Sequence, residues 1–88
     1  MSELYEKVRD FFVYEEKDLI VGVCALHILW EDLAEIRSLA VAEEYQKLGI
    51  GKELVLSCLE EAEELGVGRV FALTTSPEFF KKLGFKEV

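Results

Sequence analysis

Proline is almost missing from this chain, one in 88 residues, and histidine and methionine also occur once each, beside two cysteines and six glycines. A single proline excludes a proline-rich linker or recognition segment, and no repeat or low-complexity tract interrupts the sequence. Cys24 and Cys58 form no Cys-x-x-Cys pair and no Cys/His cluster, so a metal pattern is absent. They are expected as free, buried thiols, which suit a reducing cytoplasmic setting better than a secreted scaffold. Cations are scarce too. Ten Lys and Arg against 18 Asp and Glu leave a net charge of −8, which argues against a nucleic-acid surface or an anionic membrane as partner. No apolar run approaches the roughly 20 residues that span a bilayer. The longest, residues 19–30, is interrupted by Gly22 and His27, and Glu3, Glu6 and Lys7 break any apolar stretch near the amino terminus, so no signal peptide is expected.

What is present is a hydrophobic share of 51%, enough for one folded domain over residues 1–88 with one modest core. Residues 2–8 carry Leu4, Tyr5 and Val8 behind Ser2 and Glu3, which suggests one or two helical turns. Phe11, Phe12, Val13 and Tyr14 form a β-rich run that ends in the polar cluster Glu15-Glu16-Lys17-Asp18, suited to a tight turn. The return strand covers residues 19–29, with Gly22 marking either a bulge or a close backbone approach. Trp30-Glu31-Asp32 reverses the chain again, with Trp30 expected to pack at the sheet end, and residues 33–41 read as a third strand. The expectation is an antiparallel three-strand meander. Simple alternation along the third strand puts Glu35, Arg37, Leu39 and Val41 on one face and Ile36, Ser38 and Ala40 on the other.

From Ile50 the apolar residues Leu54, Val55, Cys58, Leu59, Ala62 and Leu65 follow the helical period, opposite a row of glutamates, and Gly66 stands where a left-handed C-terminal cap belongs. The strand expected at residues 69–74 follows this helical crossover and should run parallel to its partner. Ser76-Pro77-Glu78 has the residues of a helix start, and the short C-terminal helix should end at Gly84 with Phe85 packing back on its last turn.

Between the third strand and the long helix lies Gln46-Lys47-Leu48-Gly49-Ile50-Gly51. Glycines here let the backbone approach a ligand, and the unpaired N–H groups of a first helical turn, backed by the helix dipole, favour an anion. A Gly-X-Gly before a helix is also an ordinary helix entry. Lys47 and Lys52 beside the loop either supply local positive charge or stay solvated.

The QxxGxG register with its Val-Ala-Glu-Glu-Tyr lead-in resembles the acetyl-coenzyme A loop of the GNAT N-acetyltransferases. Glu35-Ile36 and Ala40-Val41 upstream, and Phe79-Phe80-Lys81-Lys82-Leu83-Gly84-Phe85 downstream, fit the same pattern in the same order. The resemblance covers about residues 11–85. It implies a mixed α/β (α+β) fold, a truncated acyl-CoA N-acyltransferase domain, with acetyl-CoA as cosubstrate contacting Leu39, Ala40, Val41, Gln46, Lys47, Leu48, Gly49, Ile50, Gly51, Lys52 and Phe80. Residues 22–37, 69–74 and 77–80 look most like amino-acid N-acetyltransferases of the N-acetylglutamate synthase type. The implied reaction is acetyl transfer to the amine of a small molecule, an amino acid such as glutamate. The chain is shorter than a full family domain, which has a strand and helices before the meander and two more strands after the last helix. A homodimer that completes the sheet would answer that, and so would a minimal or degenerate form.

Family enzymes transfer acetyl directly, so the acceptor amine needs a general base. Glu35 falls at the strand position where several members carry one; its plainer role is as a salt-bridge partner of Arg37 or a sheet-edge carboxylate. Arg37 is the candidate cation for an acceptor carboxylate, or simply pairs with Glu31 or Glu35. An amide near residues 39–41 is the family's stabiliser of the thioester oxygen. Where a tyrosine often protonates the leaving thiolate, this chain has Phe80, which has no proton to give. His27 could act as a base, yet no partner acid stands near it in sequence. A non-catalytic acyl-CoA binding or sensor module is the alternative. A Rossmann-type dinucleotide site is set aside, because the glycines follow a meander and the third glycine of GxGxxG is missing.

Overall fold

Runs rich in aromatic and β-branched residues pair into a sheet in the first half of the chain, and a 3.6-residue apolar period then lays a helix across it. The computed structural model describes residues 4–8 and 11–87, the former as backbone path alone. The elements are β1 (Leu4–Val8), β2 (Phe11–Glu16), β3 (Leu19–Trp30), β4 (Leu33–Val41), α1 (Ile50–Glu64), β5 (Arg69–Ala72) and α2 (Pro77–Lys81), with a 3-10 turn at Glu43–Tyr45 before α1. One sheet contains all five strands in sequence order. The first four are antiparallel and β5 runs parallel to β4. The expected meander is β2–β4, and the expected parallel strand is β5, two residues shorter than its sequence pattern. Among the described residues no helix is long and apolar enough to cross a membrane.

The helical turns expected near the amino terminus are not found. Residues 4–8 form a strand whose register runs from Leu4 opposite Glu15 to Val8 opposite Phe11; Ser2 and Glu3 lie outside the described residues. One isolated helical turn is costly to nucleate, whereas the free edge of β2 offers a ready ladder of donors and acceptors. The turn between β2 and β3 is made by Lys17 and Asp18, both at positive φ (51° and 65°), the paired left-handed geometry that suits a two-residue hairpin.

α1 covers one face of the sheet. Leu54, Val55 and Cys58 are fully buried against Val21, Cys24 and Leu26 of β3 and Ala34 and Ile36 of β4. Leu65, expected on the same stripe, is exposed because the helix stops at Glu64 and Gly66 turns the chain away at φ 79°. Both alternatives for Gly22 are realised. Tyr14 faces Gly22 while Glu15 faces Ile20, so Val21 is an extra residue beside it. A Cβ at position 22 would also lie 3.0 Å from Ile50 Cγ2 and from Leu54 Cδ1. Leu54 is 0% exposed, and Leu54→Ala is expected to cost about 2–5 kcal/mol, read as a lower urea midpoint at unchanged slope.

Cys24 and Cys58 are buried thiols not joined in a disulfide, as expected. The Cys58 thiol donates to Cys24 Sγ across 3.6 Å. That hydrogen bond lowers the Cys24 pKa, with help from the Ala25 backbone and against the opposing effect of burial. Trp30 does not pack at the sheet end but is 73% exposed.

The alternation expected along β4 is broken by a bulge. Arg37 faces Ala25 and Ala40 faces Val23, so Ser38 and Leu39 together oppose Cys24, and Ser38 takes a left-handed φ of 56°. One extra residue resets the period-2 pattern. Leu39 and Val41 therefore pack with Ile36 against the core under α1, and no longer share a face with Glu35 and Arg37.

Candidate active site

β4 and β5 stay paired only from Leu33 opposite Arg69 to Ile36 opposite Ala72. Beyond that point β4 continues to Val41 while β5 has ended, and the two chains part around a cleft of about 1210 Å³. Residues 35–41 line one side, Leu73, Thr74, Thr75, Ser76, Phe79, Phe80 and Lys82 the other, and the start of α1 the third. Backbone N–H groups on the β5 side of residues 37–41 have lost their strand partner, so they are donors open to a ligand.

The loop before α1 is shaped by two left-handed residues, Lys47 (φ 66°) and Gly49 (φ 88°). Gln46 Nε2 donates to the Val41 carbonyl at 3.0 Å and ties the loop to the end of β4. Gly49 is the N-cap with no side-chain cap, and the Glu53 N–H donates to its carbonyl at 3.0 Å. The amides that precede Glu53 in this turn have no acceptor within the helix, and they stand at the positive end of its dipole. A Cβ on Gly51 would lie 3.4 Å from Phe79 Cζ and 3.8 Å from Val41 Cγ2; glycine here lets α2 close one wall of the cleft.

Glu35 is 8% exposed, the one buried charged residue among those described. Arg37 Nε donates to its Oε1 at 2.7 Å. Of the two pairings open to Arg37, Glu35 is the one formed. The other carboxylate oxygen of Glu35 has no protein partner among the described residues. Glu35 sits between His27 on β3 and Phe71 on β5, on the sheet face turned away from α1.

The cleft brings together Glu35, Arg37, Leu39, Ala40, Val41, Gln46, Lys47, Gly49, Gly51, Lys52 and Phe80. Two residues of the sequence-derived set do not line it. Leu48 is 66% exposed, and Ile50 is buried in the core because it falls on the same helical stripe as Leu54. Both can contribute a backbone amide but no side chain. Phe80 is buried and packed edge to face against Phe79 (5.1 Å) and Phe85 (5.2 Å).

Sequence reasoning missed Thr74, Thr75, Phe79 and Lys82. Phe79 and Lys82 are three residues apart, the spacing of one helix face, and Lys82 adds a third lysine to Lys47 and Lys52. Ser76 does not cap α2 through its side chain. Its N–H instead donates to Thr74 Oγ1 at 2.8 Å, which fixes a hydroxyl at the cleft rim.

The sequence profile of the acetyltransferase (GNAT) family matches residues 2–85. The chain belongs to the GNAT family. It is 47% identical over 88 residues to an amino-acid acetyltransferase of Mycobacterium tuberculosis, covering 97% of this chain and 51% of the relative. Among solved structures, one from Mycobacterium tuberculosis in complex with CoA superposes with a TM-score of 0.86 at 44% identity, covering 91% of this chain and 50% of that one. An N-acetylglutamate synthase from Neisseria gonorrhoeae, complexed with coenzyme A and N-acetyl-glutamate, gives a TM-score of 0.85 at 29% identity, covering 98% of this chain and 23% of that one. The chain spans about half the length of the curated relatives it matches.

Proposed function

We propose that the chain binds acetyl-CoA in the cleft between β4 and β5 and transfers its acetyl group to the amine of a small molecule, an amino acid such as glutamate. The observation that carries this reading is the convergence of the glycine loop and Glu35 on one cleft. The relatives named amino-acid acetyltransferase, and the similar structure holding coenzyme A and N-acetyl-glutamate, support the choice of acceptor.

In this mechanism the diphosphate of the coenzyme sits on the amides of residues 47–52, with Lys47, Lys52 and Lys82 offsetting the charge of an acidic chain. The thioester passes the open amides of residues 39–41, and one of them stabilises the oxygen as it gains charge. Glu35 removes a proton from the acceptor ammonium. The amine nitrogen attacks the thioester carbon, the C–S bond breaks and the thiolate leaves. The nitrogen then loses its second proton, and because Phe80 has no proton to give, that proton reaches the thiolate through water or the hydroxyls at the cleft rim. Arg37 orients Glu35 through Nε, and the free end of its guanidinium meets an acceptor carboxylate.

The test is release of free thiol from acetyl-CoA with a panel of amino acids, glutamate included, together with mass detection of the acetylated product. Turnover with an amino acid supports the proposal. Tight coenzyme binding with no turnover supports the second reading, an acyl-CoA binding or sensor module, which Phe80 favours. Absence of any coenzyme binding by the folded chain removes both.

We also propose a homodimer. Among the described residues β5 has a strand on one side only, and beside its other edge lies a groove of about 810 Å³ lined in part by Leu33, Val70, Phe71, Leu83 and Phe85. An unpaired edge next to apolar surface favours strand addition. Sedimentation is expected to give twice the chain mass; a monomer at all concentrations would remove this part.

A further inference from the structure

Among the described residues, one imidazole on the sheet face of Glu35 has no part in this mechanism. His27, the chain's single histidine, is the direct cross-strand partner of Glu35, and it is exposed where Glu35 is buried. Directly opposed residues on antiparallel strands hold their Cβ atoms about 4.5–5.5 Å apart on the same face. Glu35 is paired with Arg37 and not with the imidazole, so at that spacing a proton passes between the carboxylate and the ring across one water. Sequence reasoning lacked a partner acid for His27, and the β3–β4 register supplies it.

A buried base has to be reset after every turnover. One oxygen of Glu35 is held by Arg37 Nε; the other takes the acceptor proton and must then pass it on from a side chain with little access to water. Imidazole suits that transfer, because it accepts at one ring nitrogen and releases from the other in the neutral pH range. We propose that His27 is the proton exit of the site: it takes from Glu35 the proton removed from the acceptor ammonium and hands it to solvent. This rests on Glu35 being the base. The proton balance closes, since an ammonium and a thioester become an amide, a thiol and one proton released to water.

Among the described residues the charged groups facing His27 come from two strands. Glu35 and, two residues further along β4, Arg37 lie on its face. β5 contributes Phe71 opposite Glu35, and Arg69, held by Asp32 at 3.5 Å. Among the described residues β2 presents Phe11 and Val13 and β3 itself Ala25. α1 packs on the opposite face, through Cys24 and Leu26. Glu35 is thus the one carboxylate directly opposed to the ring.

The experiment uses the full chain and compares wild type with His27→Ala and His27→Gln in steady-state kinetics across the neutral pH range, with and without free imidazole. Circular dichroism and coenzyme A calorimetry report fold and donor binding. Both variants are expected to lose on the order of ten-fold in kcat, less than the ~100- to 10,000-fold range of direct proton transfer, with the acceptor KM unchanged. Added imidazole should restore His27→Ala in proportion to its concentration and leave wild type unaffected. A glutamine fills the site and cannot carry the proton, so it serves if the alanine variant does not fold. Either variant matching wild type in kcat and pH profile overturns the relay, and so does a loss in a folded, coenzyme-binding His27→Ala that imidazole does not restore. Failure of the underlying reading looks different: Glu35→Gln would then keep wild-type turnover, or wild type itself would have none.

Discussion

Glu35→Gln is expected to lower kcat by about 100- to 10,000-fold, the usual worth of a positioned general base, while coenzyme A binding stays as in wild type. The substitution keeps the size and planarity of the side chain and an oxygen for Arg37 Nε, so the 2.7 Å contact has an acceptor after the change. What disappears is the ability to take a proton from the acceptor ammonium. Removing Arg37 would be a poorer probe, because it would leave a buried carboxylate without its cation, and such a loss is destabilising in its own right. Steady-state kinetics with the responsive amino acid, beside calorimetry with coenzyme A, separates the two halves of the site. A variant that turns over like wild type would remove Glu35 from the chemistry.

The second large effect is expected at the start of α1. Gly51→Val places a branched side chain where a Cβ already touches Phe79 at 3.4 Å and Val41 at 3.8 Å, on the turn whose amides face the cleft. Losing one charge-assisted amide–phosphate bond costs about 1.5–3 kcal/mol, roughly 10- to 150-fold in Kd for coenzyme A. Gly49→Ala is the informative companion. No atom lies within 4 Å of a Cβ there, yet φ is 88°, so its cost of about 1–2 kcal/mol is backbone strain and falls on folding and loop shape. The expected pattern is a weakened Kd with near-normal urea stability for Gly51→Val, and a lowered urea midpoint for Gly49→Ala. Undiminished coenzyme affinity in Gly51→Val would dissociate the loop from the ligand.

The parts of this architecture that were legible in sequence obey rules confined to a few neighbouring residues. The apolar period of α1 up to Ala62, the glycine cap at Gly66 and a turn within the polar cluster Glu15-Glu16-Lys17-Asp18, confined to its last two residues, each follow from local backbone geometry or helical spacing. The C-terminal turn is similar: Gly84 takes φ 100° and the Phe85 N–H donates to the Phe80 carbonyl at 3.1 Å, so Phe85 does pack back. Local rules failed at residues 4–8, where pairing with β2 outweighed a weak helical start. They failed again at Ile50, whose place in the glycine motif concealed its place on the buried stripe.

The candidate site divides along the same line. The amino acids alone determined that residues 46–52 form a glycine loop entering a helix, that Glu35 and Arg37 are two residues apart on a strand, and that Phe80 has no proton to give. Tertiary structure decided which of these meet. The bulge at Ser38 and Leu39 turned Leu39 and Val41 into the core and left Glu35 and Arg37 on the other face, the early end of β5 opened the cleft, and the register of β3 against β4 set His27 opposite Glu35. The reason is that side chains alternate along a strand with period two, so one inserted residue reverses every face that follows. Where that residue is inserted depends on contacts between strands, which no short window of sequence contains.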